Sequence, residues 1–354
     1  MNEEPNVTYI TLSGHVELHK YRYLYFTIMF IAYLLIICCN STIVCLICIH
    51  KNLHEPMYIF IAALLMNSVL FSSAFHPKLL FDFLSDKQII SYPGCLFQSF
   101  LFYALGGSEF FLLAAMAYDR YVSICKPLQY HTIMRQTNII IFLVTAWIVP
   151  ACHFLVNTTL SANRKLCNFT LKTVYCNNIV LTLPCERSAV IMTNGIFVLL
   201  NLEIFPVLFI LFTYIKILRI CSQSRAHVRK KAAETCLPHL LVLITFSFII
   251  GFDFIVIRME SLIPKTCRLI MSLQVIVYHP LFNPLIYGLK MKEISKHLKR
   301  LFCQRKRKQY INNFSSYLKL KVFLTISDDD IIIFSYRFLH HLSSTMTPAF
   351  FTVD

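Results

Sequence analysis

Apolar residues in this chain gather in long unbroken blocks rather than at helical or strand intervals. A helix needs roughly 20 apolar residues to cross the hydrocarbon core of a bilayer. Seven such blocks can be read: Tyr23–Ile49, Met57–Leu84, Cys95–Ser123, Asn138–Phe154, Ala189–Ile220, Cys236–Ile257 and Cys267–Leu289. Lys78 interrupts the second and Asp253 the sixth, and the fourth is short by its apolar core alone. Lipid offers no partners to backbone N–H and C=O groups, so each block is predicted to be a helix. Pro77, Pro206, Pro280 and Pro284 lie inside blocks, where each removes one helical hydrogen bond and marks a kink that neighbouring helices can accommodate. The predicted fold is an all-α membrane protein, a seven-transmembrane helix bundle.

The pattern changes after the seventh block. Over Lys290–Phe302, Ile294, Leu298, Leu301 and Phe302 form an apolar stripe among lysines, which predicts a short amphipathic helix on an anionic leaflet of membrane lipids. Cys303 beside it reads equally as a palmitoylation site or a plain thiol. The expected organisation is an N-terminal segment 1–22, a membrane domain 23–289, an amphipathic helix 290–308 and a disordered tail 309–354. In the tail, the apolar run Ile331–Phe334 after Asp328–Asp330 is too short to span.

Composition agrees with a membrane domain. Hydrophobic residues make up 57% of the chain and charged residues 14%, too few charges for a soluble surface. The net charge of +15 resides largely in Arg219–Lys231 and Lys290–Lys308. Lys/Arg-rich loops stay cytoplasmic, and seven spans then put the N-terminus outside, at the plasma membrane. The sequons at Asn6 and Asn168 fall on that outer side and are the expected glycosylation sites. The N-terminus lacks the pattern of a cleaved signal peptide. A basic stripe interleaved with stacking aromatics is absent, which argues against nucleic-acid binding. There is no phosphate-binding loop and no His/Glu metal motif, so neither an enzyme nor a cofactor or metal is expected.

Of 14 cysteines, most sit in apolar blocks, but Cys95, Cys167, Cys176 and Cys185 fall at predicted outer loops or span ends, on the oxidising side. Sequence alone leaves three pairings open.

Charge at membrane depth is expensive and seldom idle. The third block ends on Met116-Ala-Tyr-Asp-Arg-Tyr-Val-Ser-Ile-Cys-Lys-Pro-Leu128, with Asp119 and Arg120 adjacent. Other distinctive stretches are Leu53–Tyr58, Lys231–Leu240, Asn283-Pro284-Leu-Ile-Tyr287, Asn40 in the first span and the lone Trp147 in the fourth. Over about residues 20 to 305 the chain resembles the olfactory (odorant) receptors, within the rhodopsin-like G-protein-coupled receptors.

That resemblance implies several roles. Cys95 would pair with Cys176 and Cys167 with Cys185. Asp119 would hold Arg120 at rest, and Arg120 beside Tyr121 would be released toward a G protein, with Tyr214, Tyr287 and His239 available around it and Asn283-Pro284 as the hinge. Glu109, three turns deeper than Arg120, reads either as a structural carboxyl or as part of a polar relay with Asn40, Ser68, Asn67 and Asn283. Ligand-lining candidates are Phe102, Tyr103, Gly106, Gly107, Val198, Leu202, Phe254, Ser272 and Ile276, each of which reads equally as plain core. Departures from the pattern are Ser68, where an aspartate that helps hold sodium is usual, Cys39, where glycine is common, and Ser247, in place of a tyrosine whose part would fall to Phe246 or Phe248. Phe102 stands where amine receptors carry an aspartate, and the seventh span has no lysine for retinal. Asp253 and Arg258 either favour a polar ligand or cap their helix.

The implied function is binding of a small-molecule odorant among the helices, which shifts a pre-existing equilibrium and activates a heterotrimeric G protein of the olfactory stimulatory type. Other readings stay open: a rhodopsin-class receptor outside smell, which tissue expression would discriminate; a transporter or channel, which ion flux would test; and a non-signalling copy.

Overall fold

A computed structural model of the chain describes residues 8–186, 188–223, 236–251 and 263–301. Its architecture is the predicted seven-transmembrane bundle. The helices are α1 (Leu18–Ile49), α2 (Pro56–Leu84), α3 (Tyr92–Cys125), α4 (Gln136–Ala162), α5 (Ala189–Ser222), α6 (Cys236–Gly251) and α7 (Lys265–Lys290). Six are long and apolar enough to cross a membrane; α6 is the shorter one, and its predicted continuation to Ile257 lies outside the described residues. A further helix, α8, covers 292–301, and residues 302–354 lie outside the described set. The chain divides into two compact units, 1–295 and 296–354, and the bundle is built from the first.

The starts of these helices follow from local chemistry. Proline occupies the first turn of α2 and of α3, where its missing N–H is not needed. Ser91 Oγ accepts from Gly94 N at 3.3 Å, and Ser188 Oγ from Ile191 N at 3.4 Å, capping α3 and α5. Two boundaries differ from the sequence-based expectation. α1 begins at Leu18, but Tyr21 has non-helical angles, so an added turn precedes the span predicted from Tyr23. α4 runs to Ala162 rather than Phe154, because the polar side chains beyond its apolar core bond their own helix: Thr158 to Phe154 O, Thr159 to Val156 O and Ser161 to Asn157 O. α4 also carries an interior Pro150 that the expected kink positions omitted.

α3 is the centre of the bundle and mostly buried, whereas α4 is mostly exposed. The exposed face of α4 carries Ile140, Ile141, Val144, Ile148 and Leu155, the surface a helix presents to lipid. α5 is interrupted by a π-turn over Leu200–Ile204, where Phe205 N–H reaches back to Leu200 O.

One end of the bundle carries a small sheet that the all-helical expectation did not contain. β1 (Tyr9–Leu12) lies between β2 (Ile89–Ser91), to which it is antiparallel, and β3 (Thr170–Leu171), to which it is parallel. Strands this short leave little signature in a sequence; the alternation of Ile10 and Leu12 inward is what holds β1 down. Those two side chains pack with Tyr92, Leu96, Leu171 and Val180 around the Cys95–Cys176 bridge. Gly14 follows closely over Thr173, whose backbone a Cβ there would strike.

Candidate functional site

At the end of α3 away from the sheet, Arg120 Nη2 and Nε donate to Asp119 Oδ2 at 2.6 and 3.1 Å. Asp119 is fully buried, and its other oxygen accepts from Tyr130 OH at 2.9 Å. Both oxygens are therefore engaged, as a buried carboxylate requires. Tyr130, on the single turn Tyr130–Ile133, was not among the sequence candidates. Burial, then the Asp119 carboxylate, raises its phenol above the ordinary range, so it stays a donor.

Tyr214 and Tyr287 do not reach Arg120 in this arrangement. Tyr214 OH bonds His239 Nδ1, and His239 Nε2 lies 2.9 Å from Leu113 O. With the proton on Nε2, His239 accepts from Tyr214 and donates to Leu113, joining α5, α6 and α3. The Tyr287 hydroxyl is buried and without a hydrogen-bond partner among the described residues. Tyr121 stacks on Tyr118 at 6.3 Å. Arg120 is thus held by Asp119 while the two tyrosines are occupied or waiting.

Deeper, Asn283 Nδ2 donates to Ser68 Oγ at 3.1 Å and to Glu109 Oε1 at 3.0 Å. Proline at 284 leaves the carbonyl of Pro280 without its helical donor, and Asn40 Nδ2 fills that vacancy at 2.9 Å. Asn40, Ser68, Glu109 and Asn283 therefore link α1, α2, α3 and α7. Asn67 is not part of this group: it donates to Leu105 O and accepts from Trp147 Nε1 at 3.3 Å, because its side chain leaves α2 toward α3 and α4. His279, which the sequence reading passed over, brings Nε2 to 2.8 Å from Glu109 Oε1. That nitrogen is not aligned for a hydrogen bond, so the contact is one of proximity alone. Phe246 covers the His279 ring at 4.3 Å and Phe110 at 4.7 Å, whereas Phe248 is exposed; of the two substitutes for a tyrosine at Ser247, only Phe246 faces the core.

Toward the sheet end, Phe102 lies in an aromatic cluster with Phe71, Phe75 and Tyr175. The Tyr103 hydroxyl accepts from Asn178 N at 2.9 Å, and its ring stacks on Phe154. Val198, Leu202, Ser272 and Ile276 are buried. The two glycines differ. A Cβ on Gly106 would meet nothing within 4 Å, whereas one on Gly107 would stand 3.0 Å from Pro150 Cβ and 3.6 Å from Leu202 Cδ1. Gly107 is thus a close-packing position between α3, α4 and α5 rather than an open wall. Phe254, Asp253 and Arg258 lie outside the described residues, as does Asn6. Asn168 is exposed, and its Oδ1 accepts from Thr170 N. Cysteines 95 and 176 are bonded, as are 167 and 185, so the segment between α4 and α5 is pinned to α3 and closed on itself. Sequence reasoning also missed Glu203, a carboxyl on the π-turn of α5 beside Leu202.

Residues 28–305 match the family described as Olfactory receptor. The chain is 34% identical over 297 residues to Olfactory receptor 1E16 of Mus musculus, covering 81% of this chain and 92% of that protein. It is 31% identical over 310 residues to Olfactory receptor 1496 of Rattus norvegicus, covering 86% and 99%. It is 32% identical over 309 residues to Olfactory receptor 13C2 of Homo sapiens, covering 83% and 94%. Among solved structures, the crystal structure of squid rhodopsin superposes with a TM-score of 0.67 at 17% identity, over 81% of this chain and 82% of that one, a likeness of fold.

Proposed function

This chain belongs to the olfactory receptor family, and on that premise we propose that Asp119, Arg120 and Tyr130 form its resting lock and that the sheet end faces the outside of the plasma membrane. It is a multi-pass, odorant-type G-protein-coupled receptor: a small molecule binds within the bundle and a heterotrimeric G protein is activated. The olfactory stimulatory G protein is the proposed partner. The observation that carries the mechanism is the Asp119–Arg120 pair, closed at 2.6 Å with Tyr214 turned to His239. A ligand that binds better when α5 and α6 have moved shifts the population toward that state. The movement separates Tyr214 from His239 and frees it, with Tyr287, to receive Arg120 once Asp119 lets go. The relay through Asn283, Ser68 and Glu109 connects that event to the ligand's end of the bundle.

The test is cyclic AMP in cells that carry the olfactory stimulatory G protein, under a broad odorant panel, with surface staining. Arg120→Ala is expected to abolish the response at unchanged surface level. An undiminished response in that variant would remove Arg120 from the switch.

A further inference from the structure

Among the described parts of the membrane helices, the acidic side chains are Asp82, Glu109, Asp119 and Glu203. The chain supplies a cation or a strong donor to three of them. Asp82 pairs with Lys78, Glu109 has Asn283 and His279, and Asp119 has Arg120 and Tyr130. Glu203 has no ion pair or hydrogen bond among the described residues, although it is half-buried in an otherwise apolar stretch of α5. A carboxyl at that depth costs free energy unless something pairs with it.

Its setting resembles a site more than an accident of composition. Glu203 lies on the π-turn, a local widening that recurs where helices serve function. Its neighbour Leu202 is buried against α3 near Gly107, one residue from the open space before Gly106. Helical phase sets the direction. Tyr214 marks the side of α5 that meets α6, through His239. Glu203 precedes Tyr214 by about three helical turns, so it returns to that same side roughly 16 Å nearer the sheet end. On α6, Ser247 lies about 12 Å beyond His239 in the same direction. The Ser247 hydroxyl is buried and has no hydrogen-bond partner among the described residues. Two polar groups without a partner among the described residues, one on α5 and one on α6, therefore lie within about one helical turn of the same depth.

We propose that Glu203, with Ser247 opposite, is the polar anchor of the ligand site, and that the ligands it takes are small molecules bearing a basic amine. The amine supplies the cation that Lys78 gives Asp82 and Arg120 gives Asp119, and that no described residue gives Glu203, and the serine hydroxyl accepts a further N–H. The remainder of the ligand packs on the apolar surface around Val198 and Leu202. The carboxyl comes from α5, so the absence of an aspartate at Phe102 does not bear on it. This assignment rests on the receptor reading and narrows its ligand class.

The experiment uses matched probes, phenethylamine against phenethyl alcohol and cyclohexylamine against cyclohexanol, on the full chain. Two readouts run in parallel: cyclic AMP in cells, and thermal stabilisation of the purified receptor, which reports binding without signalling. The expected result is a preference for each amine over its alcohol. Glu203→Gln should weaken the amines by about tenfold or more and leave the alcohols unmoved, and Glu203→Asp should restore part of the preference. Equal effects of amines and alcohols, an unchanged preference in Glu203→Gln, or no stabilisation by any amine would each overturn the inference and leave the receptor reading intact. Stabilisation by amines that depends on Glu203, with no cyclic AMP response to any ligand, would support the site and count against the receptor reading.

Discussion

Single residues decide how firmly the resting state is held. Asp119 accepts from Arg120 on one oxygen and from Tyr130 on the other. Tyr130→Phe keeps the ring and deletes only the second bond. A hydrogen bond to a charged group contributes about 1.5–3 kcal/mol, so the variant is expected to raise ligand-independent cyclic AMP about tenfold, at equal surface expression. An unaltered basal level would mean that Tyr130 merely packs. The glycine pair offers a contrast in packing. Gly107→Leu drives side-chain atoms into Pro150 and Leu202 and should cost about 1–3 kcal/mol. Gly106→Ala enters open space and should be neutral or stabilising by up to about 1 kcal/mol. Melting temperatures of the two purified variants, set beside the parent, check both expectations.

At the scale of elements, the legible and the hidden parts of the chain divide along physical lines. Membrane helices show because each needs a long apolar block, and the blocks at α2, α3, α5 and α7 fall within a few residues of the helices. The end of α4 was hidden because hydroxyls that bond their own backbone look like loop chemistry in a sequence. The β-strands were hidden because their pairing joins residues near 10, 90 and 170, a relation no local pattern carries. The site divides in the same way. Asp119, Arg120, Asn283 and Asn40 stood out as polar groups in apolar surroundings. His279 and Glu203 belong to that class too, and the signal for Glu203 was present as the one acid in the block Ala189–Ile220. What sequence could not supply was its lack of a partner among the described residues, which is a statement about neighbours in space.

At the scale of the whole molecule, the sheet end is expected to respond to pH. His15 sits between β1 and α1, edge-on to the Phe83 ring at 5.7 Å. Burial, helped by the nearby Lys78 charge and opposed by the Leu12 carbonyl, lowers its imidazole from the ordinary 6.5 to about 4. The folded chain thus binds fewer protons here than the unfolded one, so stability is held at neutral pH and lost as pH falls from about 6.5 to about 4. The loss is on the order of 2 kcal/mol once solvent screening at a partly exposed site is allowed for. Amide hydrogen exchange at Tyr9–Leu12 should accelerate over that interval, and His15→Phe should flatten the profile. Equal profiles in the two proteins would assign the acid response elsewhere.

The central place of β1 in its sheet has a consequence for biosynthesis. β2 and β3 each bond to β1 and not to one another, so the sheet has no nucleus without the segment synthesised before both of them. That segment can meet β2 only once α1 and α2 have been threaded into the bilayer, and β3 only once α3 and α4 have followed and Thr170 and Leu171 have been synthesised. The first of the three strands to be made is fully paired only when the last has been made. Closure of this end therefore records that the first four spans have inserted in the right orientation, and a chain in which one of them is inverted would carry Tyr9–Leu12 as an unpaired edge, open to any factor that surveys nascent membrane proteins.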